Sequence, residues 1–499
     1  MKRVDAALLF SLYRKFLPMN EKFDFIGETH LLEKIMNGLP EGFINRMNGL
    51  LEEEADAFFS SYEKPRKYGL RCNTLKCTPE NFTTRMPFYL QPVPWADNGY
   101  YYEAEQAPGK HPFHEAGVYY IQEPSAMSPA QLLDAKPGDV VCDLCAAPGG
   151  KSTQLASQLQ GEGLLVSNEL YPARARVLSQ NFERMGIRNG VVLNENTAHM
   201  AALFPAFFDK IMVDAPCSGE GMFRKDEAAR EEWSPEQVRI CADRQLEILG
   251  HAAMMCAPGG EMVYSTCTFS PEENESVIGH FLQGHPDFSL VEPGEEFRRK
   301  GFSSGHPEWC DTQVAADIRQ QLDKTLRIFP HLTEGEGHFL AKLKRQGEDA
   351  EGRAMRRNTA CIQPDKKCDT SQWQAFVKEL ELPELQGMYR KFGEVLYLVP
   401  AQMIDLKGIK VERAGLELGT MKKNRFEPAH ALAAALLAGQ CKRVAELSVE
   451  EAVRYIHGET LPCTVDNGWT LVTVEGFSIG WGKAVNGTLK NHYPKGIRR

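Results

Sequence analysis

The sequence predicts an α/β protein: a doubly wound, Rossmann-like core preceded by a small α+β domain and followed by a β domain. Two observations carry that prediction. Between residues 116 and 345, short apolar runs of strand length alternate with helix-length amphipathic stretches, which implies βαβ units and a mostly parallel sheet. The first of these runs breaks into a turn of small residues before a helix, and in such sheets that turn lies at the ligand-binding carboxyl edge.

Residues 1–35 read as an N-terminal extension. Met1–Leu17 has the pattern of a short amphipathic helix; Tyr13, Arg14 and Lys15 interrupt it and no small-residue cleavage site follows, so a signal peptide is not expected. Residues 36–115 read as a small mixed domain, with a helical pattern from Leu39-Pro40 through Phe43 and Met47 to Leu51, then extended pieces at 71–74 and 100–102. The core, 116–345, has expected strands at 140–144, 164–169, 191–193, 210–214 and 261–265, with a closing strand at 337–343. Helices are expected from Lys151 and over 172–185, 235–256 and 272–283. A polar, charge-rich linker fills 346–370. An intermediate domain, 371–435, carries the strand Leu396–Val399 and a helix over Ala431–Leu437, and 436–499 reads as an all-β terminal domain.

A chain of 499 residues is too long for one ordinary core, and 42% hydrophobic with 25% charged residues excludes disordered and fibrous classes. No apolar run reaches the roughly 20 residues of a membrane span, so no membrane partner is expected. Thirteen cysteines at this length suggest reduced thiols in a cytoplasm. The isolated Cys142-x-x-Cys145 has no second ligand pair, so no metal is expected. The net charge of −10 argues mildly against nucleic acid, but basic residues bunch at 64–67 and in an acid-free tail over 481–499.

The turn Cys145-Ala146-Ala147-Pro148-Gly149-Gly150-Lys151 lets a cofactor approach the backbone closely. Glu169 ends the next strand about twenty residues on, the spacing for a carboxylate that accepts both ribose hydroxyls. The loop is neither G-x-G-x-x-G nor a Walker motif, which favours a nucleoside cofactor over a dinucleotide or triphosphate. Asn196 follows the third strand, where an adenine-edge contact or a solvent loop would lie. Asp214 ends the fourth strand at the carboxyl edge.

Cys217 in Asp214-Ala215-Pro216-Cys217-Ser218-Gly219 and Cys267 in Ser265-Thr266-Cys267-Thr268 sit just past strands expected to be neighbours. A lone cysteine is most often a small buried hydrophobe; two on carboxyl-edge loops of one sheet suggest chemistry. Carbon 5 of cytosine is too weak a nucleophile to take a methyl group unaided. A thiolate adding to carbon 6 makes it an enamine, and a base must later remove the carbon 5 proton so that the thiol can leave. Asp214 is placed to hydrogen-bond the ring or its amine. A methylase of exocyclic amines would carry Asp/Asn-Pro-Pro-aromatic in place of Asp-Ala-Pro-Cys, and a redox dithiol is the remaining competitor.

These segments, with Tyr119-Tyr120-Ile121-Gln122-Glu123-Pro124-Ser125-Ala126 upstream, resemble the Nop/Sun family of RNA cytosine-5 methyltransferases over about residues 36–345. The resemblance implies S-adenosylmethionine as cofactor, held by Cys145–Lys151, Glu169, Asn196 and Asp214. It implies Cys267 as nucleophile and Cys217 as the thiol that assists release of the product. The family usually has Asp where this chain has Asn196, so altered cofactor affinity is expected. Residues 408–437 and 482–494 resemble bacterial RsmF-like 16S rRNA methyltransferases. That implies methylation near the decoding region, RNA-binding roles for 36–115 and a PUA-like C-terminal domain, and 16S rRNA or the small subunit as partner of a monomer. In the basic tail, Trp481, His492 and Tyr493 suit phosphate contact and base stacking. Alternatives are the same reaction on tRNA, or a non-catalytic RNA-binding assembly factor.

Overall fold

The computed structural model describes residues 38–348, 361–365, 368–423 and 425–498. The helix expected over Met1–Leu17 and much of the expected linker lie outside them. The chain divides into two compact units, residues 1–63 and 64–499. In the first, helix Glu41–Leu51 buries Phe43, Ile44 and Met47, spaced for one helical face, and helix Ala55–Ser60 buries Phe58 and Phe59. The Phe43, Phe58 and Phe59 rings lie 5.3 to 6.5 Å apart.

The second unit opens with a small antiparallel sheet of β1 (Tyr68–Cys72), β2 (Gln91–Pro92), β3 (Gly99–Tyr102) and β4 (Tyr119–Ile121), in the order β2-β3-β1-β4. The core sheet then takes β5 (Val140–Asp143), β6 (Leu164–Asn168), β7 (Gly190–Leu193), β8 (Phe208–Asp214) and β9 (Cys256–Thr266). These five are parallel in the order β7-β6-β5-β8-β9. They read as unbroken apolar runs because both faces are covered: Cys142 and Val166 enter one apolar cluster, while Val141, Leu165 and Met212 enter another. Helices Gly150–Leu159, Pro172–Met185, Pro235–Met255 and Glu275–Gly284 fall within a few residues of the expected ranges.

Beyond β9 the sheet continues antiparallel, because the chain returns without a crossover. β10 (Phe288–Leu290), β11 (Ser303–Ser304) and β12 (Leu326–Ile328) precede β13 (His338–Arg345), which pairs with β9. The opposite edge holds a strand that its composition did not announce. After β14 (Met388–Phe392) and β15 (Val395–Val399), β16 (Val411–Ala414) leaves the intermediate region and pairs antiparallel with β7. It covers backbone groups that β7 would otherwise present as an open edge.

β17 (Leu416–Lys422) and β18 (Arg425–Pro428) complete a separate sheet, β14-β15-β17-β18. The helix after it spans His430–Ala435, shorter than expected because Leu436 is already extended. The terminal sheet comprises β19 (Val444–Leu447), β20 (Leu461–Pro462), β21 (Gly468–Val474), β22 (Phe477–Val485) and β23 (Thr488–Asn491), in the order β19-β21-β22-β23-β20. It is not all-β: Ser448 and Glu451 form a reciprocal capping box that starts helix Val449–His457.

Candidate active site

β5 ends at Asp143, and the chain turns over Leu144–Gly149 into helix Gly150–Leu159. Gly149 has φ +118°, a left-handed conformation that a Cβ would strain. Three side chains grip this turn. Arg174 Nη2 donates to Ala147 O (2.9 Å), Asn181 Nδ2 to Pro148 O (2.8 Å) and Arg71 Nη2 to Gly150 O (3.0 Å). Arg71, from β1, is wholly buried and also donates to Thr153 Oγ1 (2.7 Å) and Gln122 Oε1 (3.1 Å); burial lowers its pKa to about 10. The small sheet is thereby tied to the turn that follows β5.

Asp143 accepts the Ser152 hydroxyl (2.6 Å) and is buried against the Cys145 backbone. Burial pushes its pKa up to about 7. A cationic ligand would relieve that cost, which suits a sulfonium amino acid at this loop. Burial pushes the Cys145 thiol well up too, so it offers packing and not nucleophilicity. Glu169, one residue past β6, is buried; it accepts from Tyr171 N (3.0 Å) with Arg174 Nη2 3.6 Å away. Asn196 is exposed and caps helix Thr197–Leu203, its Oδ1 accepting from His199 N (2.7 Å). That oxygen serves the helix terminus with one lone pair, which leaves its second lone pair and the amide nitrogen to meet a ligand.

β8 and β9 run side by side, with Asp214 opposite Ser265, and Ala215 N donates to Ser265 O (2.9 Å). Both cysteine loops therefore leave the sheet together, and Cys217 Sγ and Cys267 Sγ lie 3.3 Å apart, each partly exposed. The hydrogen bond to Cys267, and then burial, push the Cys217 thiol well above its ordinary pKa. Asp214 Oδ2 accepts from Lys151 Nζ (2.8 Å) and Oδ1 from the Ser265 hydroxyl (2.8 Å). Burial opposes the Lys151 charge, yet Asp214 outweighs it and holds the ammonium above the ordinary lysine value; Cys267 adds to that effect. Among the described residues no cluster could hold a metal ion.

Residues that sequence motifs did not single out fix these loops. Glu273 is buried and accepts from Ser218 N (2.9 Å), the Ser218 hydroxyl and Gln245 Nε2 (2.9 Å). Gln245 Nε2 also donates to Pro216 O (2.9 Å), and the Tyr264 hydroxyl donates to Glu273 O (2.6 Å) with Gln245 Oε1 3.0 Å away. Burial pushes Glu273 up to about 7. The one readable signal was polarity inside otherwise apolar helical spacing, at Gln245.

The basic run over 64–67 borders a cleft of about 450 Å³ lined also by Tyr101, Arg224, Lys300 and His331. The tail requires a correction. Trp481 and Tyr493 are buried, Trp481 donating to Ala429 O (2.9 Å) and Tyr493 to Glu115 Oε2 (3.0 Å), so neither can stack on a base. His492 is exposed, with the half-buried Trp469 ring 4.5 Å away and Lys483 Nζ 5.8 Å from that ring.

Family profiles match four stretches: 16S rRNA methyltransferase RsmB/F over residues 130–344, the N-terminal domain of RsmF over 39–124, the first C-terminal domain of RsmF over 375–436 and the RsmF PUA domain over 442–499. The ribosomal RNA small subunit methyltransferases F of Vibrio campbellii and Vibrio vulnificus are each 31% identical over 485 residues, which covers 92% of this chain and 98% of the relative. A methyltransferase homologue protein from Pyrococcus horikoshii superposes with a TM-score of 0.55 at 29% identity, over 63% of this chain and 99% of that one. NSun6 from the same organism, with SFG, gives 0.51 at 20% identity over 63% and 100%, a likeness of fold.

Proposed function

The chain belongs to the RsmF family of 16S rRNA methyltransferases, and from that membership we propose that it methylates carbon 5 of a cytosine in 16S rRNA near the decoding region, through a covalent adduct on Cys267. The observation that carries this reading is the pair of thiols 3.3 Å apart beside Asp214 and Lys151. S-adenosylmethionine supplies the electrophilic methyl group when bound. The Cys145–Lys151 turn, Glu169 and Asp214 would hold it, with Asn196 at the adenine edge.

Cys267 Sγ adds to carbon 6 of the base, and the displaced electron pair makes carbon 5 nucleophilic toward the methyl group. Lys151 supplies positive charge beside the sulfur, and Asp214, fixed by Lys151 and Ser265, hydrogen-bonds the ring or its amine. Cys217 assists elimination. With Cys267 bonded to the base, Cys217 gives up its own proton to solvent and as thiolate takes the carbon 5 proton. The carbon 5–hydrogen pair becomes the carbon 5–carbon 6 double bond, the carbon 6–sulfur bond breaks, and that bond's pair returns to Cys267. The target must leave its stack to reach this edge, and the terminal PUA domain and the basic cleft favour an RNA that is gripped outside the site.

Methyl transfer to 16S rRNA is the test. Cys267→Ala abolishes it, whereas Cys217→Ala accumulates a protein–RNA adduct that migrates slowly on a denaturing gel. A Cys217→Ala protein that turns over without adduct refutes the two-thiol scheme. Bisulfite sequencing of 16S rRNA from a deletion strain locates the base.

A further inference from the structure

We propose that His338 recognises the target base, its Nε2 accepting a hydrogen bond from the exocyclic amine of the cytosine attached to Cys267. The proposal rests on the reading of Cys267 as nucleophile. β13 begins at His338, and the pairing of Phe339 with Thr266 places His338 across from Cys267 at the carboxyl edge. Gly337, just before it, packs against Gly221, whose N–H donates to Cys267 O (2.8 Å). A Cβ on Gly221 would lie 2.7 Å from Gly337 O and 2.9 Å from Cys267 O, so the segment after Cys217 packs against both the start of β13 and the Cys267 loop.

Side chains alternate along a strand, so His338 shares a face with Leu340. Leu340 belongs to the apolar cluster that contains Leu155, from the helix whose first turn carries Lys151. Lys151 and Asp214 both act electrostatically on the imidazole.

The hydrogen bonds settle which nitrogen is bare. The Glu123 carboxylate accepts from Ser125 N (3.0 Å), Ala126 N (2.9 Å), Glu336 N (2.9 Å) and the Ser125 hydroxyl. Serine has a single hydroxyl hydrogen, spent on Glu123, so its oxygen accepts from His338 Nδ1 (3.0 Å). Burial, followed by Lys151, lowers the imidazole pKa to about 4 and keeps the ring neutral. Nε2 is therefore an unprotonated acceptor, buried and without a hydrogen-bond partner among the described residues, and the Gly337 backbone is the other group that acts on the ring. Cytosine carries an amine donor at carbon 4 where uracil has a carbonyl oxygen, so an acceptor here favours one and repels the other. Glu123 and Ser125 act as positioning residues that set the tautomer.

The test uses an RNA fragment spanning the cytosine that the unsubstituted protein methylates in 16S rRNA. It is made with cytosine or with pyrimidin-2-one, which lacks the amine, at that position. His338→Phe keeps an aromatic ring and removes the acceptor. Single-turnover methylation of the cytosine RNA falls about tenfold or more, while the rate on pyrimidin-2-one changes less than twofold. Should His338→Phe lose S-adenosylmethionine binding, Ser125→Ala carries the test, its smaller loss also confined to the cytosine RNA. Equal losses on both RNAs, or no loss on cytosine, overturn the proposal. An unsubstituted protein that methylates no cytosine overturns the parent reading and this one with it, before any substitution is made.

Discussion

Glu273→Gln makes the protein more stable at pH 8 and leaves it unchanged near pH 4. The carboxyl is buried, and burial raises its pKa from 4.5 to about 7. The folded state therefore holds its proton where the unfolded chain has released it, and stability falls as pH rises through that window. The full difference corresponds to about 3 kcal/mol, absent below pH 4.5 and complete above pH 7. Glutamine avoids the ionisation at little hydrogen-bonding cost. Its amide oxygen can take the place of Oε2, which accepts from Ser218 N and Gln245 Nε2. Its amide nitrogen then faces the Ser218 hydroxyl, which can accept while donating to Thr268 Oγ1, 2.9 Å away. Scanning calorimetry between pH 4 and 8 is the assay. The melting temperature of Glu273→Gln relative to the parent rises by about 3 °C across the window, and methyl transfer survives. Two pH profiles that run parallel refute the reasoning, since they would mean that Glu273 titrates alike in the folded and unfolded chains.

Two further substitutions probe the scaffold. Arg327 and Glu275 form a buried ion pair (Nε to Oε1, 2.7 Å), and Arg327 Nη1 donates to Phe269 O (2.9 Å) just past Cys267. Arg327→Met strands the carboxylate and costs about 3–5 kcal/mol, read as a melting temperature lower by about 3–5 °C, and adding Glu275→Leu recovers most of the loss. Arg71→Lys retains the charge but replaces a planar fork that serves three acceptors by a point donor, and it weakens S-adenosylmethionine binding about tenfold in calorimetric titration without changing the adduct chemistry.

Elements whose signal is local were legible. Val140–Asp143 and Leu164–Asn168 are apolar throughout because helices cover both faces, and the small-residue turn after β5 marked the carboxyl edge. Elements made by a partner were not. Val411-Glu412-Arg413-Ala414 has no strand composition; it is extended because β7 offers unpaired backbone. The tail failed for a related reason. Trp481 and Tyr493 lie among basic residues, but Phe376 and His430, distant in sequence, bury them. The capping box of Ser448 and Glu451 is local and readable, and a β expectation passed over it.

The site divides along the same line. Motifs placed Cys217 and Cys267 after neighbouring strands, but no motif states their separation. That follows from register: Asp214 lies opposite Ser265, so cysteines three and two residues further on leave the sheet at nearly the same height. A slip of one residue moves a strand end by about 3.3 Å and exchanges its faces, which would carry the sulfurs out of contact. What resists the slip is the set of buried polar groups that no pattern announced. Gln245 ties Pro216 to Glu273, Glu273 ties Ser218 to the loop after β9, and Tyr264 closes the ring from inside β9 itself. Each is polar and buried, and Gln245 and Glu273 bond to residues tens of positions away, so each costs stability unless all are satisfied together. The thiol pair is thus a property of that network as much as of two cysteines, and helix Pro235–Met255, which carries Gln245 and neither thiol, helps fix the separation of the sulfurs.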